Sequence, residues 1–148
     1  MNFEDLKQEI EIELDFIEST ISELLLILKD IDNKEPSTKD KTAAGTFLSQ
    51  FYNGIENILK RISKYYNIEL PKGENWHIEL FKRFKKPSFK ELPLLFDEPL
   101  ATSLASYRKF RHAFFHGYGF QLDWIRIKEG IENVDIIYKR IKKIFIIS

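Results

Sequence analysis

The stretch FEDLKQEIEIELDFIESTISELLLILKDI, residues 3–31, decides the fold class of this 148-residue chain. Its apolar residues recur at alternating intervals of three and four, at Phe3, Leu6, Ile10, Leu14, Ile17, Ile21, Leu24, Leu28 and Ile31. That spacing predicts a helix with one continuous apolar face, about 45 Å long at ~1.5 Å per residue. Asn2 can cap its start, and the segment 33–37, which contains Pro36, ends it.

The next segment predicts a second long helix. An apolar stripe of the same period runs from Ala44 to Tyr65. Ser37 and Asp40 have the spacing of a capping box, with Asp in place of the usual Glu. Pro71 and Gly73 mark the end of this unit.

The remaining chain predicts a short helix, a connection and two more long helices. Residues 74–84 suit the short helix, and residues 85–99 contain three prolines and suit a connection. Asp97 can cap the third long helix, which Gly117 ends, and Asp123 can cap the last one. We therefore expect an all-α, antiparallel up-down bundle of four long helices and a short one, forming a single domain over residues 1–148.

Composition excludes several classes of protein. The chain has no cysteine, so neither disulfides nor thiolate metal sites are possible. The longest apolar runs, such as 24–28, are too short to span a bilayer, and no charged-then-apolar leader opens the chain. We therefore expect a cytoplasmic protein without a membrane partner.

The net charge of zero conceals an asymmetry. Residues 1–40 hold 12 acidic and 4 basic residues, whereas residues 41–148 hold 11 acidic and 19 basic ones. The second part can present a basic surface to a polyanion. Alternatively, the opposite charges pair between helices.

The segment Arg111-His112-Ala113-Phe114-Phe115-His116-Gly117-Tyr118 carries the chemistry. Arg111 occupies a stripe position where an apolar residue is expected, so a buried guanidinium must meet a partner, a ligand or a second subunit. The guanidinium fork matches phosphate oxygens, and histidine exchanges protons near neutral pH. His116 can therefore take the proton of a ribose 2′-hydroxyl or protonate a leaving 5′-oxygen, which requires no metal.

Helical geometry limits how Arg111 and His116 can cooperate. Five residues along one helix separate them by about 140° around the axis, so they do not share a face. They converge only if the helix distorts near Gly117 or if two copies pair across a symmetric interface. We prefer the second arrangement, in which two arginines and two histidines surround one cleft.

Other interpretations of these residues stay open. Arg111 and His116 can have purely structural roles, and Tyr118 can be a packing residue. His112 and His116 have the spacing of a zinc pair, although His77 is the only other histidine. The basic, aromatic run 82–86 suits a groove that follows a nucleic-acid backbone, or it is a solvated helix end.

Residues 107–124, YRKFRHAFFHGYGFQLDW, resemble the signature of HepT-like toxins of the HEPN superfamily. Their pattern is Arg-x4-His-x-Tyr, usually with a polar residue after the arginine; here that residue is His112. The resemblance extends to 44–47, 52–60 and Trp76-His77 with Leu80, and so spans most of residues 42–126.

The resemblance implies a dimeric bundle that acts as a metal-independent endoribonuclease toxin of a type VII-like HEPN/MNT toxin–antitoxin system, without a cofactor. Its implied substrate is transfer RNA or messenger RNA. Arg111 and His116 would be catalytic and His112 supporting, and a cognate minimal nucleotidyltransferase antitoxin would adenylylate Tyr118. Further candidate RNA contacts are Lys82, Arg83, Lys85, Lys86 and Arg108. The alternative is a non-catalytic module of the same fold that binds a nucleotide or a protein.

Overall fold

The structure is a computed structural model, and it describes residues 2–31, 34–117 and 123–147. Within these residues it contains five helices and no strand, which confirms the all-α bundle. The helices are α1 (Phe3–Ile31), α2 (Thr38–Tyr65), α3 (Trp76–Lys82), α4 (Glu98–His116) and α5 (Trp124–Ile147). Four are long and α3 is short, as the periodicity predicts.

The predicted helix caps are present. The Asn2 side chain accepts a hydrogen bond from the Asp5 N–H at 2.9 Å. Ser37 and Asp40 form a complete capping box at the start of α2. Asp97 accepts from the Leu100 N–H at 2.8 Å, and Asp123 accepts from the Ile125 N–H at 3.0 Å. These side chains satisfy backbone donors that a helix leaves free at its first turn, and so they fix where each helix begins.

Helix α2 lies at the centre of the bundle and contacts the other four helices. Helix α2 packs most extensively against α1. A short connection joins the two helices, so they run antiparallel. Gly54 permits the close approach, because a Cβ atom there would lie 2.5 Å from Cγ1 of Ile17. The stripe of α1 is buried along its interior, while Phe3 at its end is half-exposed and packs edge-on against Tyr65.

Polar contacts tie the acidic first helix to its basic neighbours. Arg61 of α2 bridges Glu9 and Glu13, each at 3.1 Å, and Lys142 of α5 meets Glu18 at 2.8 Å. These ion pairs agree with the alternative that the charge asymmetry is neutralised between helices. No helix among the described residues is long and apolar enough to span a membrane.

The connection between α3 and α4 packs against the bundle and adds side chains to its core. Phe84, Leu92 and Phe96 are buried in the core, and the Phe84 carbonyl accepts hydrogen bonds from the N–H groups of Leu95 and Phe96. Helix α3 is thereby held against α2. That placement brings Trp76 and His77 beside the central helix and toward α4.

Candidate active site

Arg111 is the buried centre of the site. It follows Leu100, Leu104 and Tyr107 on the inward face of α4, and only 6% of its surface is exposed. The apolar stripe places it there because the position is four residues after Tyr107. A cation at such a position requires compensation from the neighbouring helices.

The compensation comes from Glu56 of α2, which is 3% exposed. Nη1 of Arg111 lies 2.5 Å from Oε1 of Glu56, and Nη2 lies 3.1 Å from Oε2, so the two groups form a two-pronged ion pair. Asn53, one turn earlier on α2, accepts from Nη1 at 2.6 Å. Charge and geometry together make this pair one of the strong class of hydrogen bonds.

His77 of α3 completes the cluster. Its Nδ1 atom lies 2.7 Å from Oε2 of Glu56 and 2.6 Å from Nη2 of Arg111. The Trp76 ring lies against the imidazole with a centroid separation of 3.5 Å, and the Lys60 ammonium lies 4.6 Å from the Trp76 ring. Helices α2, α3 and α4 therefore contribute side chains to one hydrogen-bonded polar cluster.

The contacts use the hydrogen-bonding capacity of the guanidinium almost completely. Each Nη atom carries two hydrogens. The Nη1 partners are Asn53 and Glu56, and the Nη2 partners are Glu56 and His77. The Tyr52 ring lies beneath, 4.9 Å from the guanidinium carbon, and burial raises the pKa of that phenol. Arg111 is thus held rigidly, in a setting that keeps Tyr52 neutral.

A cleft of about 720 Å³ opens beside this cluster. Asn53, Glu56 and Arg111 line its inner part, while His112, Phe115 and His116 line it from the exposed side of α4. Its other lining residues are Asn57, Lys60, Glu74, Asn75, Trp76, His77, Ile78, Arg108 and Lys109.

His116 stands exposed at the last turn of α4. Its Nδ1 atom lies 2.8 Å from the His112 carbonyl oxygen, and the two imidazole rings stack with centroids 4.3 Å apart. A carbonyl only accepts, so Nδ1 carries the proton and Nε2 keeps a lone pair in the neutral ring. That tautomer is the one a base acting through Nε2 requires.

The structure brings Arg111, His112 and His116 to one cleft without a distortion of α4, which runs unbroken to His116. The angular separation predicted from the sequence is still present, because Arg111 is buried and His116 is exposed. The cleft is wide enough to reach both. Cooperation of the two residues across a pair of copies stays a prediction.

Among the candidate RNA contacts, Arg108 lines the cleft and the run 82–86 does not. Arg83 donates to the Glu69 carbonyl at 2.9 Å and covers the Phe89 ring at 4.1 Å. Lys85 lies 3.8 Å from Glu98. Lys82 and Lys86 are exposed. The structure thus gives Arg83 and Lys85 contacts within the protein, and RNA contact by this run stays a prediction.

Sequence analysis missed Glu56, Asn53 and Lys60 as site residues. In chain order, Asn53, Glu56 and Lys60 lie at positions i, i+3 and i+7 of α2, so they share one polar face beside the apolar stripe. This periodicity was the sequence signal that could have identified them. No group of three or more histidine or acidic side chains placed to hold a metal occurs among the described residues. Tyr118 lies outside the described residues.

Comparison with known proteins agrees with this combination of helical bundle and Arg-x4-His cleft. A family model described as HepT-like protein matches residues 43–145, more than half of the chain and nearly all of α2 to α5. The chain belongs to the HepT-like protein family, which is part of the HEPN-type toxin group. Searches of curated proteins and of solved structures gave no match.

Proposed function

We propose that the chain is an RNA-cleaving toxin of a HEPN/MNT toxin–antitoxin system, whose reaction takes place in the Arg111–His116 cleft without a metal. The observation that carries this proposal is the cleft itself. The guanidinium of Arg111, buried and rigidly held, and the exposed imidazole of His116 both line it. The tautomer of His116 with the proton on Nδ1 has a lone pair on Nε2 that can accept a proton. In this proposal residues 1–148 act as one HEPN-like domain in the cytoplasm, where transfer RNA and messenger RNA are available.

The proposed reaction uses the nucleophile that RNA carries. His116 removes the proton of a 2′-hydroxyl, and the 2′-oxygen attacks the adjacent phosphorus. Negative charge develops on the phosphate oxygens, and Arg111 is a buried, fixed cation that lines the cleft. Lys60, Arg108 and Lys109 also line the cleft and supply positive charge along the RNA backbone.

Incubation of the purified protein with RNA in excess chelator tests this function. We expect cleavage at specific positions, since neither the Arg111 guanidinium nor the His116 imidazole depends on a metal ion. RNA that stays intact under these conditions, at protein concentrations that arrest growth in cells, would contradict it. Binding without turnover would instead favour the non-catalytic module.

A second copy of the chain is part of the proposal. Phe115 is 62% exposed at the border of the cleft, beside His112 and His116. Pairing of two α4 helices across a two-fold axis would cover this apolar ring and place both sites at one interface. We expect light scattering at micromolar concentration to give the mass of a dimer, and Phe115→Ser to shift the population toward monomer. A monomeric wild type would contradict the shared cleft.

Tyr118 is the proposed acceptor for adenylylation by a cognate minimal nucleotidyltransferase antitoxin. It follows His116 by two residues, so an added nucleotide would lie next to the exposed histidine. Co-expression with that enzyme should increase the mass of the protein by adenylate units and abolish RNA cleavage. Tyr118→Phe should stay unmodified. Modification that persists in this variant would place the acceptor elsewhere.

A further inference from the structure

The histidine on α3 has a geometry that its neighbours on α4 lack. His77 reaches a buried carboxylate through Nδ1, at 2.7 Å from Glu56, and its side chain remains 36% exposed. The imidazole also lines the cleft that holds His116. Because Nδ1 faces the buried carboxylate, the opposite ring edge, which carries Nε2, is the part left to meet the cleft.

We infer that His77 is a second proton-transfer residue of this cleft and donates the proton that the leaving group needs, while His116 acts as the base. This inference rests on the proposed ribonuclease function. Cleavage of a phosphodiester by a 2′-hydroxyl needs one group to take a proton and another to supply one. Among the described residues, His77, His112 and His116 are the cleft's histidines.

The two histidines differ in what surrounds Nδ1. Nδ1 of His116 donates to the His112 carbonyl, so the lone pair of this tautomer lies on Nε2, where a base needs it. Nδ1 of His77 lies between the Glu56 carboxylate, at 2.7 Å, and Nη2 of Arg111, at 2.6 Å, which fixes the ring with its Nε2 edge toward the cleft. With His116 assigned to the base, His77 is the histidine placed to supply the proton.

A protonated His77 also changes what Arg111 can do. With hydrogen on Nδ1, the imidazole donates to Glu56 and no longer accepts from Nη2 of Arg111, 2.6 Å away. One Nη2 hydrogen then lacks an acceptor, and a phosphate oxygen in the cleft can accept its hydrogen bond. The acid form of His77 and the phosphate-binding form of Arg111 are thus the same state of the cluster.

Two protons move in the proposed step. The 2′-oxygen forms a bond to phosphorus as its proton moves to Nε2 of His116. The bond between phosphorus and the 5′-oxygen breaks, and that oxygen takes the proton from Nε2 of His77. The products are a 2′,3′-cyclic phosphate and a 5′-hydroxyl, with His116 protonated and His77 neutral. Proton exchange with water resets both histidines.

His77→Asn tests the inference, because the asparagine amide can still donate to Glu56 but cannot transfer a proton. Cleavage rates of this variant are compared on two oligonucleotides, one with the natural 5′-oxygen and one with sulfur at that bridging position. A thiolate leaves without protonation, since a thiol is a much stronger acid than an alcohol. We expect a loss of about 100-fold or more on the oxygen substrate, and a rate close to wild type on the sulfur substrate.

His116→Asn is the matched control and should be slow on both substrates, because a base is needed whichever atom leaves. An equal loss on both substrates in His77→Asn, or no loss on either, would overturn the inference. If wild type cleaves neither RNA, the nuclease function fails rather than this assignment.

A measurement on the wild-type protein covers the case in which His77→Asn does not fold. Nitrogen-15 spectra of the histidine side chains are recorded with and without an oligonucleotide that carries 2′-deoxyribose at every position and is not cleaved. Contact with the leaving oxygen predicts a shift of the His77 Nε2 resonance on binding. An unshifted Nε2 resonance at saturation would overturn the inference.

Discussion

Glu56→Ala should lower the free energy of unfolding by about 3–5 kcal/mol, because it leaves the Arg111 guanidinium buried without a counter-charge. Both partners are almost inaccessible to water, and the carboxylate meets both Nη atoms. The substitution also removes the acceptor of His77. Urea unfolding followed by circular dichroism measures the change.

Two controls distinguish the cost of leaving the Arg111 charge buried and unpaired from the cost of losing an ion pair. Glu18→Ala removes the Glu18–Lys142 pair, whose side chains are about 40% exposed, and should cost far less than Glu56→Ala because water screens the pair. The double variant Glu56→Met with Arg111→Met removes both buried charges and should be more stable than Glu56→Ala alone. A Glu56→Ala protein as stable as wild type would contradict the buried pair.

The same pair affects how activity losses at Arg111 are interpreted. Arg111→Ala leaves Glu56 and Asn53 without their donor and opens a cavity beside Tyr52. Lost activity in that variant therefore combines a weakened fold with the missing phosphate contact. Substitution of the exposed residues His112 and His116 tests the catalytic roles without disturbing the buried cluster.

His116→Ala should reduce the rate of RNA cleavage by about 100-fold to 10,000-fold, the usual contribution of a positioned acid–base group. Its stability should change by less than about 0.5 kcal/mol, since the side chain is exposed and its hydrogen bond to the His112 carbonyl is local. Single-turnover rates at saturating protein measure the first effect and urea unfolding the second.

His112→Ala is the matched control for His116→Ala. His116 bonds to the backbone carbonyl of His112, which alanine keeps, so Nδ1 stays oriented while the stacked ring is lost. We therefore expect a smaller loss of activity than in His116→Ala. Cleavage by His116→Ala at the wild-type rate would refute its role as the base.

The sequence was sufficient for the helices because their signals are local. Apolar periodicity located the stripes, and Asn2, Ser37, Asp97 and Asp123 located the helix starts through bonds to residues two or three positions away. The end of α2 was less well predicted. The helix stops at Tyr65, and Asn67 adopts a positive φ of 57°, several residues before Pro71.

The site was only partly predictable because it joins three helices. The polar residue on the stripe of α4 indicated that Arg111 must have a partner, but not which one. Glu56 and His77 lie 55 and 34 residues away along the chain, and only packing of α3 and α4 against α2 brings the three residues together. Local spacing carries no information on that contact.

The chemistry of the RNA ends tests the central claim most directly. Wild-type protein is incubated with RNA in excess chelator, and the fragments are analysed by mass spectrometry. We predict 2′,3′-cyclic phosphate and 5′-hydroxyl ends, and protection of the cleavage position when it carries a single 2′-deoxyribose. Fragments with 3′-hydroxyl and 5′-phosphate ends, or undiminished cleavage at the 2′-deoxy position, would contradict attack by the 2′-hydroxyl in this cleft.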